Sequence, residues 1–125
     1  MRELNIGTKR FTRILVMDKI GKGGACHSYQ VRDSNFEDGL PFAEVRFQNG
    51  PEKESGINGC HNEDLIAIVI DRLLSFQAGP FSCRENDMAI TKLEEAMLWL
   101  NRRTTDRQSQ GVEGTSRHRD NERVK

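Results

Sequence analysis

The residues best equipped for chemistry in this chain crowd the end of one predicted helix. Arg102, Arg103, Thr104, Thr105, Asp106 and Arg107 stand in a row, followed by Gly111-Val112-Glu113-Gly114-Thr115. Helical periodicity does not call for such a row, so the segment reads as chosen for a ligand. Guanidinium groups grip phosphate or carboxylate oxygens two at a time. The charge balance points the same way: the chain holds 19 basic and 19 acidic residues, yet the stretch from Arg102 to Lys125 carries three net positive charges and the remainder three net negative. A small anionic ligand fits this local excess better than duplex DNA, whose binders show a pronounced basic excess or a basic face.

Other constellations carry less. Cys26-His27 and Cys60-His61 suggest zinc at first glance, but adjacent residues on a strand point to opposite faces, so the first pair does not readily chelate one ion. No metal site and no cofactor are expected. Gly21-Lys22-Gly23-Gly24 lacks P-loop spacing and a following helix, and reads as a hairpin turn. No Ser/His/Asp or Cys/His arrangement is recognisable, which leaves catalysis without positive support.

The elements that must hold the arginine-rich end in place come from periodicity. At 125 residues the chain fits one folding unit, and with 35% hydrophobic against 30% charged residues a lone protomer buries a thin core, so association with copies of itself is expected. Three runs look extended: Phe11 to Met17, His27 to Arg32 and Phe42 to Gln48, joined by turn residues. Asn49-Gly50-Pro51 and Asn58-Gly59 break regular structure and mark a linker. A helix is predicted from Asn62, a capping residue with Glu63 and Asp64 behind it, to Phe76, closed by Gly79-Pro80. A second, from Arg84 to Gln108, is about 36 Å long against about 22 Å for the first.

Met88, Ala89, Leu93, Ala96, Met97 and Leu100 are expected to pack on the first helix, while Ile90, Leu98 and Trp99 lie off that stripe and suggest a subunit interface. The fold class is α+β: a small N-terminal antiparallel β-sheet followed by a C-terminal antiparallel helical hairpin, oligomeric. The expected division is a β region over 1–50, a linker over 51–61, the hairpin with its polar end over 62–114, and a disordered tail over 115–125. No run approaches the roughly 18 apolar residues of a membrane span, and three widely spaced cysteines fit reduced thiols, so a cytoplasmic protein is expected.

Five ordered blocks then carry a resemblance. They are FQNGP at Phe47–Pro51, G-x-N-G-x-x-N-E-D-L at Gly56–Leu65, D-R-L-x-x-F-Q at Asp71–Gln77, C-R-E-N at Cys83–Asn86, and R-T-x-x-R with G-V-E-G-T at Arg103–Thr115. Together they make the chain similar to the phage Thoeris anti-defence family, type one. The hairpin also resembles that of a second phage family, which sequesters cyclic oligonucleotides of the CBASS immune system. The resemblance implies a sponge: a protein of the infected host's cytoplasm that binds a cyclised ADP-ribose immune signal without cleaving it. It further implies capture of cyclic di- or trinucleotides by some members, and a homo-oligomer built of dimers and reaching a hexamer. Its pockets would need more than one subunit.

Carried over by position, the resemblance makes Phe76 the aromatic against the ligand, Asn86 the amide on the second helix and Arg103 the guanidinium at the phosphates, with Arg102, Thr104 and Thr105 as neighbours. Strand residues stay unassigned, and His61 stands at a cap position where Thr is expected. The chemistry suits such a ligand: a ring stacks on a base for about 1–3 kcal/mol, and an amide both donates and accepts. Each residue has a plainer reading: Phe76 as hairpin packing, Asn86 as a first-turn cap, and Arg103 as a solvated cation at a helix C-terminus. Two rival functions stay open. One is a hydrolase of the same signal using Glu85, Asp87 or Glu113; the other is a structural or regulatory oligomeric interaction protein whose arginine-rich end binds RNA or a host protein.

Overall fold

In the computed structural model, which describes residues 1–36 and 38–115, the chain divides into two compact units, Met1–Cys60 and His61–Lys125. The first unit is a four-stranded antiparallel meander in the order β1-β2-β3-β4, comprising β1 Arg2–Glu3, β2 Thr12–Val16, β3 Ser28–Asp33 and β4 Ala43–Arg46. The three predicted strands are present, and a two-residue β1 adds to the edge, pairing Arg2 with Val16 and Glu3 with Leu15. It was invisible to periodicity because two residues carry no alternation. Val16 pairs with Tyr29 and Ser28 with Arg46, which fixes the register across the sheet. Leu15 and Val16 on β2 are the buried apolar residues of this unit.

Residues 47–60, which take in most of the linker expected over 51–61, are tied back to the sheet. Phe47 forms a parallel bridge with Cys60, reinforced by Gln48 N–H donating to the Cys60 carbonyl and Cys60 N–H to the Arg46 carbonyl, both at 2.8 Å. Between them one turn of helix, α1 Glu52–Ser55, fills the loop. The Gln48 amide donates to the Gly50 and Gly56 carbonyls at 3.0 and 2.7 Å and accepts from Asn58 N–H at 3.0 Å, so the loop's backbone groups are satisfied from within. Gly59 is required at the bridge: a Cβ there would lie 2.4 Å from the Phe47 carbonyl carbon and 2.5 Å from its oxygen.

The second unit is the hairpin of α2 Asn62–Gln77 and α3 Arg84–Ser109. The α2 N-cap is His61 rather than Asn62; its backbone N–H donates to the Asp64 carboxylate at 2.8 Å, one half of a capping box. The turn is locked by Gln77, whose amide donates to the Cys83 carbonyl at 2.9 Å and the Asp87 carboxylate at 2.6 Å while its oxygen accepts from Cys83 N–H at 2.9 Å.

Along α3 the residues with reduced exposure include Asn86, Ile90, Leu93, Met97, Leu100, Thr104 and Arg107, spaced alternately by four and three. Facing them on α2 the same spacing runs through Ile66, Ile70, Leu73 and Gln77. This 3.5-residue repeat is a coiled-coil seam with polar ends. It corrects the sequence reading at two positions: Ile90 is buried, whereas Met88, five residues before Leu93 and so off the seam, is 47% exposed. Leu98 and Trp99 lie outside it, as expected.

α3 ends in a Schellman motif. Gly111 takes φ +72°, its N–H donates to the Gln108 carbonyl at 3.1 Å, and Val112 N–H donates to the Arg107 carbonyl at 3.0 Å. Val112 is 3% exposed. Of the expected tail over 115–125, all but Thr115 lies outside the described residues.

Candidate functional site

Two groups of candidate residues occupy opposite ends of the hairpin. Phe76 lies in the last turn of α2 and Asn86 in the first turn of α3, so both belong to the end that Gln77 closes. Phe76 is 36% exposed, and the Arg72 guanidinium sits over its ring at 5.3 Å from the centroid. A ring held this way offers a rigid surface on which a base can stack. Asn86 is half-buried at the end of the seam.

Arg102, Arg103, Thr104 and Thr105 occupy the other end of α3, 17 residues beyond Asn86 in the case of Arg103, or about 26 Å at 1.5 Å per residue. Small-ligand pockets of about 300–1,000 Å³ are only about 7–10 Å across. One protomer therefore does not bring Phe76, Asn86 and Arg103 to a single small molecule. Arg103 is exposed and, among the described residues, its guanidinium has no partner. Arg102 is engaged, stacked over the Trp99 ring at 5.5 Å. The Thr104 and Thr105 hydroxyls donate back to the Leu100 and Asn101 carbonyls at 3.3 and 3.0 Å.

Arg107 is the member of the arginine row that the structure commits to packing. Its side chain is buried, donating to the Val112 carbonyl at 2.8 Å and the Thr115 carbonyl at 2.9 Å, with Nε 3.6 Å from the Glu113 carboxylate. The Gly111-Val112-Glu113-Gly114-Thr115 segment, read from sequence as part of a ligand loop, is thus folded onto Arg107. The clue in the sequence was Gly111 two residues past the helix end, a Schellman signal.

The sheet unit holds a cleft of about 300 Å³ lined by Asp18, His27, Arg46, Phe47, Asn49 and Asn58. Its floor is well ordered. Asp18 accepts from the backbone N–H groups of His27 at 2.8 Å and Ser28 at 3.1 Å, and these bonds, that of His27 foremost, hold its carboxyl below the usual carboxylate range. The His27 ring donates to the Lys22 carbonyl at 2.8 Å, and Asn58 and Asn49 are cross-tied through two 2.8 Å bonds. The Phe47 ring is set edge-to-face against Tyr29, centroids 5.7 Å apart. The Arg46 guanidinium and the Asn49 side-chain amide have no partner among the described residues. Such a cleft supplies a ring, a guanidinium and an amide, the groups a nucleotide-like anion needs. From sequence, Asn49 and Asn58 read only as turn formers, and no strand residue was assigned.

The family model for the Acb2/Tad1 hairpin domain matches residues 41–105, just over half of the chain and the whole of the hairpin up to Thr105. The chain belongs to the Acb2/Tad1 hairpin family. It is also 57% identical over 95 residues to a protein of Bacillus phage SBSphiJ7 named Thoeris anti-defense 1, an alignment that takes in 76% of this chain. The chain matches 64% of that relative's length, a little under two thirds. The family match takes in Phe76, Asn86, Arg102, Arg103, Thr104 and Thr105, and from the sheet unit Arg46, Phe47, Asn49 and Asn58. Asp18 and His27, and the Arg107 clamp, lie outside its bounds. Among the described residues no helix is long and apolar enough to cross a membrane.

Proposed function

We propose that this protein is a phage anti-defence protein that acts in the cytoplasm of the infected host by binding a cyclised ADP-ribose immune signal and holding it without cleavage. The observation that carries the reading is the 57% identity to a relative named for Thoeris anti-defence. In this reading Phe76 stacks on the adenine, Asn86 reads a base or ribose edge, and Arg103 neutralises the pyrophosphate, flanked by Arg102, Thr104 and Thr105. The separation of about 26 Å along α3 means that the Phe76–Asn86 end of one protomer works with the arginine end of another, so the sponge is a homo-oligomer, dimers assembling up to a hexamer. Cyclic di- or trinucleotides are a second ligand class for the same protein.

A sponge has to keep free signal below the level that activates the immune effector, which requires nanomolar affinity or better, about −12 kcal/mol. Enclosure between protomers and a preorganised ring and guanidinium support affinity of that order. The test is a calorimetric titration of cyclised ADP-ribose into the protein at low and high salt. A nanomolar Kd that shifts little with salt is expected. Steep loss of binding with salt would instead indicate a polyanion such as RNA as the true partner.

A further inference from the structure

Two Asn-Gly pairs lie side by side in the loop that follows the sheet, Asn49-Gly50 and Asn58-Gly59. An asparagine before glycine is open to a reaction of its own, because a residue without a Cβ leaves its N–H approachable by the side chain that precedes it. Both asparagines are exposed, so access to water does not tell them apart. Their bonding does. The Asn58 amide is tied at both ends, its oxygen accepting from Asn49 N–H and its NH2 donating to the Asn49 carbonyl, each at 2.8 Å. Gly59 behind it is wedged against the Phe47 carbonyl. The Asn49 amide has no partner among the described residues, and neither has the Gly50 N–H.

We infer that Asn49 is a site of self-modification, at which the Gly50 nitrogen attacks the Asn49 side-chain carbonyl and turns Asn49 into an acid, while Asn58 stays intact. The new N–C bond closes a succinimide ring, the C–N bond of the side-chain amide breaks, and the Gly50 proton leaves with the amide as ammonia. One water then opens the ring to aspartate or isoaspartate at position 49. Asn58 promotes this step on its neighbour. Its NH2 donates to the carbonyl of the Asn49–Gly50 peptide, onto which charge spreads when the Gly50 nitrogen gives up its proton, and a hydrogen bond to the charged form favours it. The same bonds hold back reaction at Asn58, whose side chain cannot turn to the Gly59 nitrogen without breaking them. The product changes the cleft that Asn49 lines with Asp18 and Arg46. A carboxylate at position 49 sets two negative groups against one guanidinium, so the cleft turns from balanced to net negative and is less suited to hold an anion. None of this depends on which ligand the hairpin binds.

The test incubates the full chain at mildly alkaline pH, folded and, in parallel, unfolded in guanidinium chloride. Peptide mass spectrometry then follows the amide-to-acid mass gain and the isoaspartate at positions 49 and 58. Unfolded, the two asparagines are expected to convert at similar rates. In the folded chain Asn49 is expected to outpace Asn58 at least about tenfold, since two hydrogen bonds must open before Asn58 can react. Asn58→Asp keeps the acceptor and removes the donor; with circular dichroism confirming its fold, it is expected to slow conversion at Asn49 several-fold. A folded chain in which Asn49 stays intact while the unfolded chain reacts, one in which Asn58 converts as fast as Asn49, or an Asn58→Asp variant whose Asn49 reacts no more slowly would each overturn the inference.

Discussion

The Arg107 guanidinium donates to the Val112 carbonyl at 2.8 Å from within the last turn of α3 and so fastens the chain that follows the helix. A buried cation is retained here because its neighbours answer it: two carbonyls and the Glu113 carboxylate surround it. Arg107→Met is expected to destabilise the hairpin unit by about 2–4 kcal/mol, since it removes the guanidinium's bonds to both carbonyls and leaves Glu113 half-buried without its cation. Arg107→Lys should recover only part of the loss, because one ammonium cannot reproduce a planar fork. Urea unfolding followed at 222 nm measures both.

Gly59 sets a second expectation. A Cβ at this position meets three backbone atoms of two adjacent peptide groups, the Phe47 carbonyl carbon and oxygen at 2.4 and 2.5 Å and the Arg46 oxygen at 2.7 Å, and backbone in a paired bridge cannot move aside cheaply. Gly59→Ala should cost the sheet unit at least about 2 kcal/mol. Gly79→Ala, whose Cβ meets nothing nearer than 3.7 Å, should change stability by less than about 1 kcal/mol. Comparing the urea midpoints of the two variants checks the contrast.

Asp18 gives the sheet unit a dependence on pH. Its folded-state carboxyl is lowered by the His27 and Ser28 backbone donors, so the ionised form stabilises the fold above the unfolded value of about 3.9, and that stabilisation is lost as pH falls through the lower folded value. Thermal melts of wild type and Asp18→Asn should differ at pH 7, and the gap should begin to close only as pH falls below about 4. A gap that stays constant across this range would remove Asp18 from the account.

For ligand capture, Arg103→Ala should abolish retention of cyclised ADP-ribose while leaving the sedimentation coefficient unchanged, because the side chain is exposed and has no partner among the described residues. Phe76→Ala should weaken capture by about 1–3 kcal/mol, roughly 5- to 150-fold. Loss of assembly in the Arg103 variant would mark a structural role instead.

Much of this arrangement was legible in the sequence because it is written in periodicity. The hairpin's helices run as expected to within a residue at either end; the strands over 12–16 and 43–46 fall inside the predicted runs, and that over 28–33 passes its run by one residue. What escaped depends on contacts distant in sequence or on short elements. The 47–60 loop looked like a linker because its order comes from the side chains of Gln48 and Asn58, which bond to backbone several residues away. Arg107 looked like its neighbours Arg102 and Arg103, and only the fold-back of Gly111–Thr115 separates a clamp from an open guanidinium. The cleft at Asp18, His27 and Arg46 joins residues from three parts of the sheet that no motif spacing connects.

The central claim is retention without chemistry, and one measurement meets it directly. The protein is mixed with cyclised ADP-ribose, and in parallel with cyclic trinucleotides, unbound material is removed, the protein is denatured, and the released molecules are identified by mass spectrometry. The account predicts intact cyclised ADP-ribose in near-stoichiometric amount. Release of a linear or hydrolysed product, or of nothing from either mixture, would contradict it.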